Sequence, residues 1–158
     1  MKRQNLHLIG FAICVLAVLI GVGVGYVNKL IPCSLCYIER FGMMALALLF
    51  LLAALTRITF FNLIFSAVIL FVSAGGASIA AYHVYLQEQG KSVESCGASL
   101  QYLLDTLPAT EAFARFIASP QNCGVVDWRF LGVSMAGYAL IIFATAFTIS
   151  FLTLRAKR

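Results

Sequence analysis

The sequence predicts an all-α integral membrane protein, a bundle of four helices with one long outer loop that carries short amphipathic helices. Three observations lead there. Of the 158 residues, 62% are hydrophobic and 11% charged, against roughly 45–50% and about 25% in soluble domains. A soluble core of this size cannot bury that much apolar surface and still leave a polar skin. The apolar residues fall into four runs, each near the roughly 20 residues a helix needs to cross a bilayer. Finally, the charges sort by side when the chain is threaded four times through a membrane. These features exclude a disordered chain, a collagen and a water-soluble enzyme. The net charge of +5 forms no basic stripe in a polar region, which argues against nucleic-acid binding.

The runs cover residues 6–27, 35–55, 60–82 and 133–154, within one membrane domain over 1–158. In lipid each backbone N–H and C=O must be paired within its own segment, so all four are expected to be helical. The first follows a basic Met1-Lys2-Arg3 start but exceeds the roughly 7–15 apolar residues of a signal-peptide core, so it is expected to remain as a span. Its Gly21-Val22-Gly23-Val24-Gly25 stretch is no dinucleotide loop, since no strand precedes it; Gly21 and Gly25 suit close helix packing instead. Cys14, in mid-span, is expected to behave as a small buried hydrophobe. Trp128 and Tyr138 fit interfacial anchoring or packing.

Four spans put both ends and the 55–60 turn on one side. That side holds Lys2, Arg3, Arg57, Arg155, Lys157 and Arg158 and no acid. The other holds Lys29, Arg40, Lys91, Arg115 and Arg129 with every acid of the chain: Glu39, Glu88, Glu94, Asp105, Glu111 and Asp127. The positive-inside rule then puts both termini in the cytoplasm. Loops 28–34 and 83–132 face the opposite, oxidising compartment and carry four of the five cysteines. In the longer loop, Leu100, Leu103, Leu104 and Leu107 repeat at helical spacing until Pro108, and Phe113, Phe116 and Ile117 repeat a shorter version. Such stretches either lie on the membrane surface or cap the bundle.

The chemistry concentrates in Pro32-Cys33-Ser34-Leu35-Cys36-Tyr37-Ile38-Glu39-Arg40. A Cys-X-X-Cys pair at a helix N-terminus closes a disulfide, and the helix dipole favours a thiolate. Arg40 lies four residues after Cys36, on the same helical face, and adds a cation beside the sulfur. Three readings compete. A zinc site wants two close-spaced ligand sets, whereas Cys96 and Cys123 are far apart, so metal is disfavoured. A structural membrane protein with inert disulfides suits the compartment. Cys-X-X-Cys, however, is the spacing of exchangeable dithiols, and a lipid-embedded bundle needs no staples. Two exchanging pairs would relay electrons from an outside dithiol to the membrane, where no haem or iron–sulfur ligation pattern is visible and a lipid-soluble quinone is the natural sink. Glu39 is expected to be an interfacial, solvated acid rather than a proton relay. His83 at the end of the third span is by default a capping or interface residue, and functionally one that orients quinone or supplies a proton.

These residues carry a resemblance. Cys33-Ser34-Leu35-Cys36-Tyr37-Ile38-Glu39-Arg40, His83-Val84-Tyr85-Leu86-Gln87, Cys96-Gly97 with Leu100 and Tyr102, Cys123, and Asp127-Trp128-Arg129-Phe130-Leu131-Gly132-Val133-Ser134-Met135 occur in this order across essentially the whole chain. The chain thereby resembles the bacterial disulfide bond formation protein B (DsbB) family. The vitamin K epoxide reductase family also joins a membrane bundle to quinone chemistry, but its Cys-X-X-Cys lies differently in the chain. The resemblance implies an inner-membrane protein-dithiol:quinone oxidoreductase that reoxidises a soluble periplasmic thioredoxin-fold oxidase (DsbA) and passes electrons to ubiquinone or menaquinone. It implies that Cys96 forms the mixed disulfide with that partner and that Cys123 completes the outer pair and exchanges with Cys33. Cys36 then faces the quinone as a thiolate with Arg40 on a quinone carbonyl, and His83 joins them in the expected cofactor-contacting set.

Overall fold

The computed structural model of the chain describes residues 3–29, 33–56, 58–89, 100–118, 123, 126 and 128–155. Its elements are α1 (Arg3–Val27), α2 (Ser34–Leu55), α3 (Thr59–Glu88), α4 (Leu100–Thr106), α5 (Ala109–Ala118), β1 (Arg129–Phe130), β2 (Val133–Ser134) and α6 (Met135–Arg155). Helices α1, α2, α3 and α6 are the four expected spans, each long and apolar enough to cross a membrane. They form a ring in which α1 packs on α2 and α6, and α3 on α2 and α6. Side chains such as Leu19, Phe60 and Phe71 point outward from it. A ring that is apolar outside as well as inside suits lipid rather than water.

Close helix approach depends on glycines facing aromatic rings. Phe50 and Phe143 are fully buried, and they lie over Gly10 and Gly76 respectively, where a Cβ would collide with the ring. The packing role expected of Gly21 and Gly25 is corrected by the structure. A Cβ on Gly21 would meet nothing within 4 Å, and one on Gly25 would come within 3.3 Å of an Arg40 guanidinium nitrogen. Gly25 therefore makes room for a side chain of the site rather than for a helix. Cys14 is buried in the core, as expected.

Hydroxyls inside the spans bond their own helix, as Thr145 and Thr148 do to the carbonyls of Ile141 and Ala144. At the end of the bundle where α1 begins, a buried polar cluster joins three helices. His7 Nε2 lies 3.4 Å from Asn62 Oδ1 and 3.5 Å from Ser66 Oγ, and Thr153 Oγ1 donates to Ser66 Oγ at 3.3 Å. Interhelical hydrogen bonds of this kind fix helix register in lipid.

Two departures from the sequence reading shape the other end. Helix α3 continues six residues beyond position 82, to Glu88, so His83 sits on a helix wall and not at its rim. Before α6 the chain makes a two-stranded antiparallel hairpin, with Arg129 opposite Ser134 and Phe130 opposite Val133. Its turn residues Leu131 and Gly132 both have positive φ, 52° and 82°, the pattern of a two-residue hairpin turn that Gly132 meets without strain. The Tyr138 hydroxyl donates to the Phe130 carbonyl at 2.9 Å and ties the hairpin to α6. The amphipathic stretches of the long loop are α4 and α5; Ala112 of α5 is fully buried and α5 contacts α2, while Tyr102 and Leu104 of α4 are exposed.

Candidate redox centre and its cavity

Helix α2 starts at Ser34 with Cys33 as its extended N-cap residue, and the Cys33 carbonyl accepts the first helical bond from Tyr37 N–H at 3.2 Å. The next turn returns the chain under this cap, so Cys36 Sγ lies 3.2 Å from Cys33 Sγ. Cys123 comes to the same helix start from the far side of the long loop. Its Sγ is 4.0 Å from Ser34 Oγ, and Cys33 Sγ, Cys123 Sγ and a His83 ring nitrogen all lie within 4.8 Å of one another. Cys33 is thus the middle of three sulfurs, flanked by a partner on its own helix and one on the loop. Cys96 lies outside the described residues.

The electrostatics are uneven along this row. The single S–H of Cys33 is shared between the Cys123 and Cys36 sulfurs and the residue is partly buried, so its thiol is held far above the usual range. Cys123 receives that hydrogen bond first of all. The Leu35 backbone N–H, the His83 ring and the Ser34 hydroxyl assist it against burial, and its pKa falls to about 6. The loop sulfur is therefore an anion at neutral pH, aimed at Cys33.

His83 reaches across from α3. Its Nε2 is 3.6 Å from Cys33 Sγ and 3.5 Å from Gln87 Nε2, and its Nδ1 is 2.8 Å from Glu39 Oε1. His83 is 1% exposed and Glu39 5%. Glu39 is thus no solvated interfacial acid, contrary to the expectation from sequence. Adjacent residues on a helix point about 100° apart, so while Arg40 turns toward α1, Glu39 turns inward to α3.

Beside the sulfurs, between α1, α2, α6 and the hairpin, lies a cavity of roughly 440 Å³. Its wall is almost wholly apolar, with Val18, Met43, Trp128, Tyr138 and Ile142 among its lining, and Cys36, Glu39 and Arg40 are its reactive or charged members. Cys33 and His83 are not on this wall. Arg40 Nη2 donates to the Gly21 carbonyl at 3.2 Å, which anchors the guanidinium at the cavity edge. Cys36 and Arg40 share one cavity, as their spacing along the helix requires. The structure directs His83 to Cys33 and Glu39 instead of to the cavity. Ser34 and Gln87 stand within the motifs quoted from the sequence, but sequence reasoning gave neither a role; Gln87 lies one helical turn after His83.

Cys33, His83 and Cys123 form one group with metal-ligand spacing, and Cys36, Glu39 and His83 form another. The same convergence is what thiol exchange requires, since attack needs sulfurs in contact. The cavity volume lies within the roughly 300–1,000 Å³ of small-molecule sites, and its dry wall with one anchored cation fits the head of an apolar, carbonyl-bearing molecule.

Together these features define a four-span membrane protein that clusters cysteines at one end of its bundle, beside a small apolar cavity. Comparison with known families narrows the class. The family model described as "Disulfide bond formation protein DsbB" matches residues 3–153, and the chain belongs to that family. Relatives named "Disulfide bond formation protein B" include one from Xanthomonas campestris pv. campestris (strain 8004), 37% identical over 145 residues, covering 86% of this chain and 81% of the relative. Another, from Xanthomonas euvesicatoria pv. vesicatoria (strain 85-10), is 36% identical over 140 residues with the same coverage of 86% and 81%. One from Azoarcus sp. (strain BH72) is 27% identical over 146 residues, covering 92% and 88%. No solved structure matches the chain.

Proposed function

We propose that this protein is a protein-dithiol:quinone oxidoreductase of the bacterial inner membrane, with both termini in the cytoplasm and its cysteine loops in the periplasm. It reoxidises a DsbA-type thioredoxin-fold oxidase and passes the electrons to ubiquinone or menaquinone. The observation that carries this reading is the position of Cys33. It lies between Cys123, on the loop side, and Cys36, which lines the apolar cavity.

In this scheme the reduced partner attacks Cys96 of an outer Cys96–Cys123 disulfide, and Cys123 leaves as a thiolate. Cys33, bonded to Cys36, has no S–H to donate in that state, and the Leu35 backbone N–H, the His83 ring and the Ser34 hydroxyl are what favour Cys123 as a leaving thiolate. The Cys123 thiolate attacks Cys33 of the Cys33–Cys36 disulfide and releases Cys36 as a thiolate on the cavity wall. Attack of the partner's second thiol on the mixed disulfide frees Cys96 and oxidises the partner, and attack by Cys96 on the Cys33–Cys123 bond restores the outer pair. A quinone bound in the cavity would supply a two-electron, two-proton acceptor. Arg40 would hold one of its carbonyls by a charge-assisted hydrogen bond, and Val18, Met43, Trp128 and Ile142 would exclude water from it. His83 would act on the bound quinone from behind Glu39, without lining the cavity. The test is purified protein with a reduced thioredoxin-fold oxidase and a soluble quinone, followed by quinone absorbance. Quinone-dependent oxidation that vanishes in Cys36→Ala supports the function, and full activity of that variant refutes it.

A further inference from the structure

Oxidation of the Cys33–Cys36 pair by a quinone must balance protons as well as electrons. Two S–H bonds break and one S–S bond forms. Two electrons and two protons pass to the quinone, whose two carbonyl oxygens become hydroxyls. Cys36 lines the cavity, so its proton has a direct way in. Cys33 does not line it and is partly buried between the Cys36 and Cys123 sulfurs, so its proton needs another way. We propose that His83 and Glu39 form that route, a two-residue proton relay from Cys33 to the cavity. The proposal rests on the quinone-linked reading above and adds residues to it.

The geometry gives each transfer a contact. Cys33 Sγ lies 3.6 Å from His83 Nε2, within reach for a sulfur donor, so the single Cys33 S–H passes to the ring by turning from the Cys123 and Cys36 sulfurs that otherwise accept it. On the opposite edge of the ring, Nδ1–H faces Glu39 Oε1 at 2.8 Å. Glu39 in turn lines the cavity beside Cys36 and Arg40. The Gln87 side-chain nitrogen, 3.5 Å from Nε2, also presents a donor to that atom, which suits a ring protonated at Nδ1 with its Nε2 lone pair open to Cys33. As Nε2 accepts the Cys33 proton, Nδ1 releases its own to Glu39, and Glu39 passes a proton to a carbonyl oxygen in the cavity. The ring is left neutral with its proton on Nε2, and exchange of that proton for one on Nδ1, with no net proton gained or lost, returns it to its first tautomer before the next turnover.

A buried acid and histidine in lipid are expensive unless they pair, and their presence marks function more often than packing. A merely structural pair would not need to bridge one sulfur of the dithiol to the wall that faces the other. Water has little access to the two relay side chains, since His83 and Glu39 are both buried.

The experiment compares unaltered protein with Glu39→Gln and His83→Gln, each checked for folding by helical circular dichroism. Glu39→Gln keeps the shape and a hydrogen-bonding group but carries no proton. The relay predicts a fall of about 100-fold in kcat for quinone reduction, the scale of lost general acid–base catalysis, with KM for quinone within twofold. A proportional rise in KM, or kcat within twofold of the unaltered protein, overturns it. A second readout needs no turnover: nitrogen NMR of His83 in reduced, quinone-free protein. Protonated Nδ1 with unprotonated Nε2, altered in Glu39→Gln, supports the relay, and a protonated Nε2 in the unaltered protein overturns it even where the variants fail to fold. Failure of the unaltered protein to reduce quinone refutes the parent reading and takes the relay with it. A relay failure alone leaves that activity intact.

Discussion

The low pKa of Cys123 gives the sharpest quantitative expectation. Its main cause is the hydrogen bond from Cys33, so the perturbation is Cys33→Ala in fully reduced protein. With a pKa of about 6 instead of the ordinary 9.0, Cys123 is about 90% thiolate at pH 7 instead of about 1%. A less basic thiolate is also a weaker nucleophile. With a Brønsted coefficient near 0.4–0.5, three units remove roughly 20-fold of that roughly 90-fold gain. The net acceleration at pH 7 is therefore only about fourfold, and the pH midpoint is the cleaner signal. The assay is pulsed alkylation of the reduced protein across pH 4 to 10 (chosen about the two pKa values), with the Cys123 peptide read by mass spectrometry. Burial slows alkylation at every pH alike and leaves the midpoint in place. The midpoint is expected near pH 6 in the unaltered protein and higher, toward 9.0, in Cys33→Ala. A midpoint near 9.0 in the unaltered protein, or one that Cys33→Ala does not move, refutes the reasoning.

Other perturbations separate the parts of the site. Arg40→Ala should raise the KM for quinone roughly tenfold to a hundredfold, the worth of a hydrogen bond to a charged group, and unchanged quinone kinetics would contradict its placement at the cavity. Cys33→Ala and Cys36→Ala should each abolish quinone-dependent oxidation of a dithiol partner, whereas Cys14→Ala, remote in the core of the bundle, should keep it; a steady-state assay of the three variants checks this. Gly10→Ala puts a methyl 2.7 Å from the buried Phe50 ring and should lower stability by about 1–3 kcal/mol in detergent unfolding. Gly23→Ala, with nothing within 4 Å of its new methyl, should be neutral or slightly stabilising, and equal effects of the two would contradict the packing account.

The four spans were legible because length and apolar content alone define them, and Cys36 with Arg40 was legible because a four-residue spacing fixes a shared helical face. The inward face of each span was not. Helices meant for lipid are apolar on every side, so a pattern of apolar residues cannot say which side meets a neighbour. Glu39 shows the consequence: beside Arg40 in sequence, it read as a solvated acid, yet it is buried against His83. Helix α3 looked shorter because the segment after Tyr82 turns polar, and those polar groups, His83 and Gln87, serve the interior of the protein. The hairpin before α6 has strands of two residues each, too short for any alternation to register, and Leu131-Gly132 was its only trace. The approach of Cys123 to Cys33 spans 90 positions of sequence, and only the fold or a family resemblance brings them together.

The most direct test of the account is a single turnover without any partner protein. Fully reduced protein carrying Cys96→Ala and Cys123→Ala, so that the outer pair cannot draw off the new disulfide, is mixed anaerobically with one equivalent of quinone, and the thiols are then trapped and mapped. The account predicts one hydroquinone per protein, with Cys33 and Cys36 becoming protected from alkylation together. Cys33 and Cys36 remaining fully alkylatable while the quinone stays oxidised would contradict it.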